Sequence, residues 1–221
     1  MKGEAFLANV RTAVARDRIA DPGPTPVDRP PPEHATDLIA TFQYNLALVG
    51  GTVYETTSAA DVFETIEGIA AGLGGDGFLS WDEEHLPVPG LITTAIAAGL
   101  RRMDHSVPAG ARERLAHQHA YFECGLGITG AVAGLAETGS IVLDSGPGKP
   151  RMASLIPETH IALLTRDSMY PSLATWINDR PTALGTAANW TIVTGPSRTA
   201  DIEMVITHGV HGPRNLHVLL V

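Results

Sequence analysis

Three stretches in the second half of this 221-residue chain gather the side-chain types that bind and transform anions. The first, WTIVTGPSRTADIE, ends a β-rich run at Thr194, turns at Gly195 and Pro196, and then presents the backbone N–H groups of Ser197, Arg198 and Thr199. Successive N–H groups at a turn or helix start form an anion-binding concavity, and a guanidinium holds a carboxylate or phosphate by two parallel hydrogen bonds. Arg198 can equally pair with Asp201 or Glu203 inside a capped turn. The second stretch, AETGSIVLDSGPGKPR, sets Glu137 beside a Thr-Gly turn at the start of an apolar strand. Asp144 and Ser145 stand at its far end, next to a Gly-Pro-Gly turn and Arg151. A carboxylate in such a place acts as a base or nucleophile, or simply caps backbone N–H groups. The third, GVHGPRNLHVLLV, flanks a Gly-Pro turn with His211 and Arg214 before a terminal apolar strand. The combined reading is one anion pocket made of Glu137, Asp144, Ser145, Arg151, Thr194, Gly195, Ser197, Arg198 and His211. Its ligand would be a small carboxylate or phosphate, and Glu137 is its catalytic candidate.

Other chemistries fail on context. Gly125, Gly127 and Gly130 spell G-x-G-x-x-G, but the short, glycine-broken AVAGLAETGS between Gly130 and the next apolar run leaves no room for a full helix and second strand before Asp144. Gly148–Lys149 is no P-loop, because Leu143 stands where the first glycine belongs and Pro150 where the Ser or Thr belongs. No G-x-S-x-G elbow occurs. His117 and His119 lie in a helical pattern that turns them to different faces, and Asp201, Glu203, His208 and His211 have no recognised zinc spacing, so no metal site is expected. One cysteine, Cys124, excludes an internal disulfide and cannot by itself hold an iron–sulfur cluster. No cofactor is identifiable in this chain, and any electron transfer must use centres on other chains or a bound organic group.

Alternating elements must position these groups. Leu38, Phe42, Leu46 and Val49 mark a helix that Gly50–Gly51 ends; a strand lies near Val53; Ser58 caps a helix through Val62, Ile66 and Ile69. Phe78 to Ser80 reads as a strand and LITTAIAAGLRR as a helix with arginines in its last turn. After Cys124 the texture changes to short β-rich runs, with a helix near Pro171 to Asp179. The pattern predicts an α/β fold, with a central, mostly parallel sheet and helices on both faces. Residues 33–221 form this domain. Residues 21–32 hold six prolines and read as an extended spacer, and residues 1–20 as an amphipathic helix or arm.

Charge removes further classes. Between Arg29 and Arg101 there is no Lys or Arg but ten acidic residues, within a net charge of −9. Such a surface repels phosphate backbones and anionic lipid, so nucleic acid is not an expected partner. The start of the chain lacks the apolar run of a secretory signal, and no stretch reaches the roughly 18 apolar residues of a membrane span. A soluble, cytoplasmic protein is expected.

AETGSIVLDSG, TGPSRTADIE and GVHGPRNLHV, in that order, resemble the LUD-domain family across about residues 36 to 221, and specifically its lactate-utilisation C-type members. The resemblance implies the fold class of sugar-phosphate isomerases and coenzyme A transferases. It also implies a cluster-free component of a three-protein system that oxidises L-lactate to pyruvate, with iron–sulfur proteins as partners and the clusters on them. Two rivals follow from the same likeness. Glu137-Thr138-Gly139 has the Glu-x-Gly form in which coenzyme A transferases place their nucleophile, so a transferase or isomerase-like enzyme using Glu137 is one. A non-catalytic assembly factor for the iron–sulfur partners is the other.

Overall fold

The computed structural model describes residues 8, 11–12, 37–106, 108–121, 123–200 and 206–221. Of the amphipathic helix or arm expected over residues 1–20, Ala8, Arg11 and Thr12 are helical. The rest of it and the proline-rich spacer lie outside the described residues, as do Asp201 and Glu203.

Six strands form an entirely parallel sheet in the order β1-β12-β7-β4-β2-β3. They are β1 (Thr52–Glu55), β2 (Gly77–Ser80), β3 (Arg101–Arg102), β4 (Cys124–Ala131), β7 (Thr159–Leu164) and β12 (Asn215–Leu220). Every residue of β2 and β7 is buried, which is the expected signature of strands covered on both faces. The helices are α1 (Leu38–Leu48), α2 (Ala59–Ala70), α3 (Leu91–Ala97), α4 (Ala111–Tyr121) and α5 (Leu173–Asp179). Asp37 and Ser58 cap α1 and α2 by accepting the Ala40 and Asp61 N–H groups, and each helix buries a pair four residues apart: Phe42 with Leu46, and Val62 with Ile66. Phe78, Leu79, Ile128, Ile161, Leu163 and Leu219 from the sheet complete the core.

The arginines expected in the last turn of the third helix are not helical. That helix stops at Ala97, and Gly99 adopts φ +99°, a left-handed conformation that turns the chain out before Arg101. Arg101 and Arg102 instead form the edge strand β3 beside β2.

The β-rich runs after Cys124 resolve into a second sheet, in the order β8-β5-β6-β9: β5 (Ala133–Leu135), β6 (Ser140–Ser145), β8 (Met169–Tyr170) and β9 (Asn189–Val193). It is antiparallel except for the β5–β8 pair. Its outer face buries Trp176 of α5 against Ala133, Leu135 and Val142, with Trp190 edge-on at 5.2 Å between centroids. Its inner face sends Ile141 and Leu143 into the main core. A small antiparallel hairpin, β10 (Arg198–Ala200) with β11 (Ile206–His208), completes the described elements.

Candidate functional site

In an open parallel sheet, ligands bind beyond the carboxyl ends of the strands, where successive connections depart in opposite directions. Here β2 leads on to its neighbour β3 on one side, while β4 leads on to β7 on the other. The crevice between β2 and β4 is therefore the switch point, and a cavity of about 240 Å³ opens there. Trp81 enters it from the end of β2, Gly130, Ala131 and Val132 from the end of β4, and Asp144 and Lys149 from β6 and the turn beyond it.

Local folding explains how Lys149 arrives. Gly146 and Lys149 exchange backbone hydrogen bonds, closing a turn in which Gly148 takes φ +72°. A side chain at Gly148 would collide with the His85 ring, 2.6 Å from the added carbon. The Gly148 carbonyl accepts the Asp82 N–H at 2.7 Å, and Arg102 donates to the Asp82 carboxylate at 2.6 Å and to the Ser80 hydroxyl at 2.8 Å. This network ties the edge of the main sheet to the turn that presents the lysine. The Lys149 ammonium pairs with Oδ2 of Asp144 and lies 5.6 Å from the Trp81 ring centroid, within cation–π range. Asp144 is 9% exposed, and its other oxygen, Oδ1, is buried with no hydrogen-bond partner among the described residues. A cation, a carboxylate with an unused acceptor, an aromatic wall and the exposed imidazole of His85 thus converge on one small cavity. That set can hold a small carboxylate and receive a proton from it.

The residues expected to form a single pocket fall into separate places. Asp144 lines the cavity; Ser145 is half-buried at the end of β6, its carbonyl accepting the Ala188 N–H; Arg151 is exposed on a 3-10 turn after Pro150. A second group gathers at the C-terminal end of α1. Asn45 donates to the carbonyls of Ala136 and Glu137 at 2.8 and 3.1 Å. Thr138, Ser140 and Thr194 join in a chain of hydroxyls at 2.6 and 2.7 Å. Gly195, at φ +80°, packs on Val49, and the Arg198 guanidinium lies against Gly50. Ser140 and Asp144 stand four residues apart on β6, so this group is about 13 Å from the cavity. The Glu137-Thr138-Gly139 form has a packing cause as well: Gly139, at φ +63°, abuts the α1 backbone at Asn45 and Leu46, where any side chain would collide.

The third group is Ser197 with His211, whose N–H donates to the Ser197 hydroxyl at 3.3 Å. The expected nest of N–H groups does not form. Ser197 gives its N–H to the Pro213 carbonyl at 2.8 Å, and Arg198 begins strand β10 rather than a helix, because β11 pairs with it. Gly125, Gly127 and Gly130 all lie inside β4, away from any strand-to-helix turn. Cys124 is buried, and burial pushes its thiol up to about 11. Among the described residues, no group of three or more His, Cys, Asp and Glu side chains is placed to hold a metal, and no helix is long and apolar enough to cross a membrane.

Sequence reasoning missed Lys149, Trp81 and His85. Lys149 follows a Gly-Pro-Gly turn at the end of an apolar strand, and Trp81 directly follows the Phe78–Ser80 strand. Position just past an apolar strand was the signal that could have found both.

A family model described as the LUD domain matches residues 39–221. A lactate utilization protein C from Anoxybacillus flavithermus is 28% identical over 222 residues, covering 95% of this chain and 94% of that protein. One from Halalkalibacterium halodurans is 26% identical over 220 residues, covering 95% and 93%. An uncharacterized protein of Neisseria meningitidis is 36% identical over 96 residues, which span 43% of this chain and 41% of that protein. Among solved structures, a DUF162 family protein from Deinococcus radiodurans superposes with a TM-score of 0.58 at 21% identity, covering 86% of this chain and 99% of that one.

Proposed function

The chain belongs to the LUD domain family, and from that premise we propose that it acts in lactate utilisation, as a component of a multi-protein system that oxidises L-lactate to pyruvate. The names of the relatives that align over nearly their whole length support the pathway. The observation that carries a role for this chain is the Lys149–Asp144 pair inside the switch-point cavity. The Lys149 ammonium binds the substrate carboxylate, and the flat Trp81 ring bounds it on one side. His85 is the neighbouring group that receives the hydroxyl proton. Oxidation to the 2-oxo acid breaks the hydroxyl O–H and the C2–H bonds; the hydroxyl proton goes to His85, and the C2 hydrogen leaves as a proton and two electrons to an acceptor on the partner proteins, whose iron–sulfur centres carry the electrons onward. With one buried cysteine, this chain holds the substrate rather than a cluster.

Growth on L-lactate as sole carbon source tests both levels. A deletion strain fails to grow, the intact gene restores growth, and a stably folded Lys149→Met variant does not. Full rescue by Lys149→Met removes the cavity from the mechanism. Unimpaired growth of the deletion strain, with no second copy of the gene, removes the pathway.

A further inference from the structure

A second cavity, of about 520 Å³, opens at the amino ends of β7 and β12, the opposite end of the main sheet's strands from the candidate site. Its size falls within the roughly 300–1,000 Å³ of small-molecule sites. Two walls define it. On the sheet side are the rings of Tyr54 and His217, 5.7 Å apart between centroids and inclined at 45°. On the helix side are Gly68 and Gly72, one turn apart at the C-terminal end of α2, which present bare backbone.

Gly68 is the informative residue. It lies inside a helix, where glycine costs about 1 kcal/mol relative to alanine. A Cβ placed on it meets nothing within 4 Å, so no neighbour among the described residues requires its absence. Close approach of a ligand would require it.

The polar edge is equally specific. The Asn215 amide donates to the Thr159 hydroxyl at 3.1 Å, directly across the β12–β7 register, and its carbonyl oxygen and second N–H are not used in that bond. Burial pushes the His217 imidazole down from its ordinary range, so the ring is neutral at pH 7, and its buried Nδ1 has no hydrogen-bond partner among the described residues. Among the described residues, no Lys, Arg, Asp or Glu lines the cavity. Charged ligands would find no counter-charge there.

We infer that this slot binds an uncharged, planar nitrogen heterocycle, its faces held between the Tyr54–His217 rings and the glycine strip and its edge read by the Asn215 amide. A purine base and an isoalloxazine share that chemistry. The inference does not depend on the function assigned to the other end of the sheet's strands.

Adenosine and riboflavin, both uncharged, are the probes, titrated by calorimetry and by quenching of flavin fluorescence up to about 1 mM. Saturable one-to-one binding of either is expected, and the one that binds identifies the ring. Gly68→Met fills the slot from an exposed helical position and should weaken binding about tenfold or more while thermal unfolding is unchanged or raised. Absence of saturable binding by both probes overturns the inference. So does equal binding by Gly68→Met, which would place the ligand elsewhere.

Discussion

Acidification should destabilise this protein through His160. The residue is 1% exposed in β7, its Nε2 shares a 2.9 Å hydrogen bond with the Thr129 hydroxyl, and its buried Nδ1 has no partner among the described residues. Burial, with a smaller contribution from nearby His217, pushes the imidazole down to about 3. The unfolded chain protonates the same ring near 6.5. Through the window from 6.5 down to 3 the folded state therefore stays neutral while the unfolded state takes up a proton. Stability rises with pH across that window and is lost as pH falls. Linkage between pH 8 and pH 5 gives a loss of about 2 kcal/mol from this residue alone. Carboxylates contribute little above pH 5, because their unfolded values lie near 4. Equilibrium urea unfolding reads the effect as a fall of about 1 M in midpoint, for a slope of about 2 kcal/mol/M. His160→Asn is less stable at every pH, but its midpoint should vary with pH by far less than the wild type's. Parallel pH profiles for the two proteins would refute the reasoning. His217, whose pKa is lowered in the same direction, should contribute a smaller part of the same acid limb, measurable in His217→Gln.

Three further outcomes are expected. Gly127→Ala drives a Cβ into the Ala153 carbonyl oxygen, a backbone atom that cannot swing aside, and should lower unfolding free energy by about 3 kcal/mol in the same urea assay. Ser58→Ala removes the acceptor of the Asp61 N–H at the start of α2 and should cost about 1 kcal/mol, which a Ser58→Asp replacement restores. Cys124, buried and with its thiol pushed up to about 11, should resist alkylation at pH 8 in native buffer and react at once in denaturant, as mass spectrometry of the labelled protein would show.

Local signals reached some levels of this structure and not others. The helix through Val62, Ile66 and Ile69 and its Ser58 cap were readable because periodicity and capping are properties of neighbouring residues. The parallel sheet followed from the alternation of elements. The separate sheet did not, since Ile141 pairs with Val193 some fifty residues away and a short β-rich run does not state its partner. The same limit governs the site. Asp144 was selected for standing at a strand end, which is where the cavity opens. Its companions Trp81 and His85 come from a loop about sixty residues earlier and share the site only because β2 and β4 are neighbours. Glu137, Thr194 and Arg198 drew notice for side chains that could do chemistry, yet the glycines among them serve the packing of a hairpin and a turn against α1.

The place of β12 bears on how the protein is made. This strand joins β1 to the rest of the main sheet, and the Thr56 hydroxyl finds its acceptor, the Leu220 carbonyl, 164 residues further along the chain. A ribosome adding 5–20 residues per second needs about 10–30 s to synthesise that interval. Throughout it β1 has no strand beside it, because β12 is its neighbour in the main sheet. Strands β2, β3, β4 and β7 pair with one another without β12, so the late event is the joining of β1, which waits for β12 to bridge it to them.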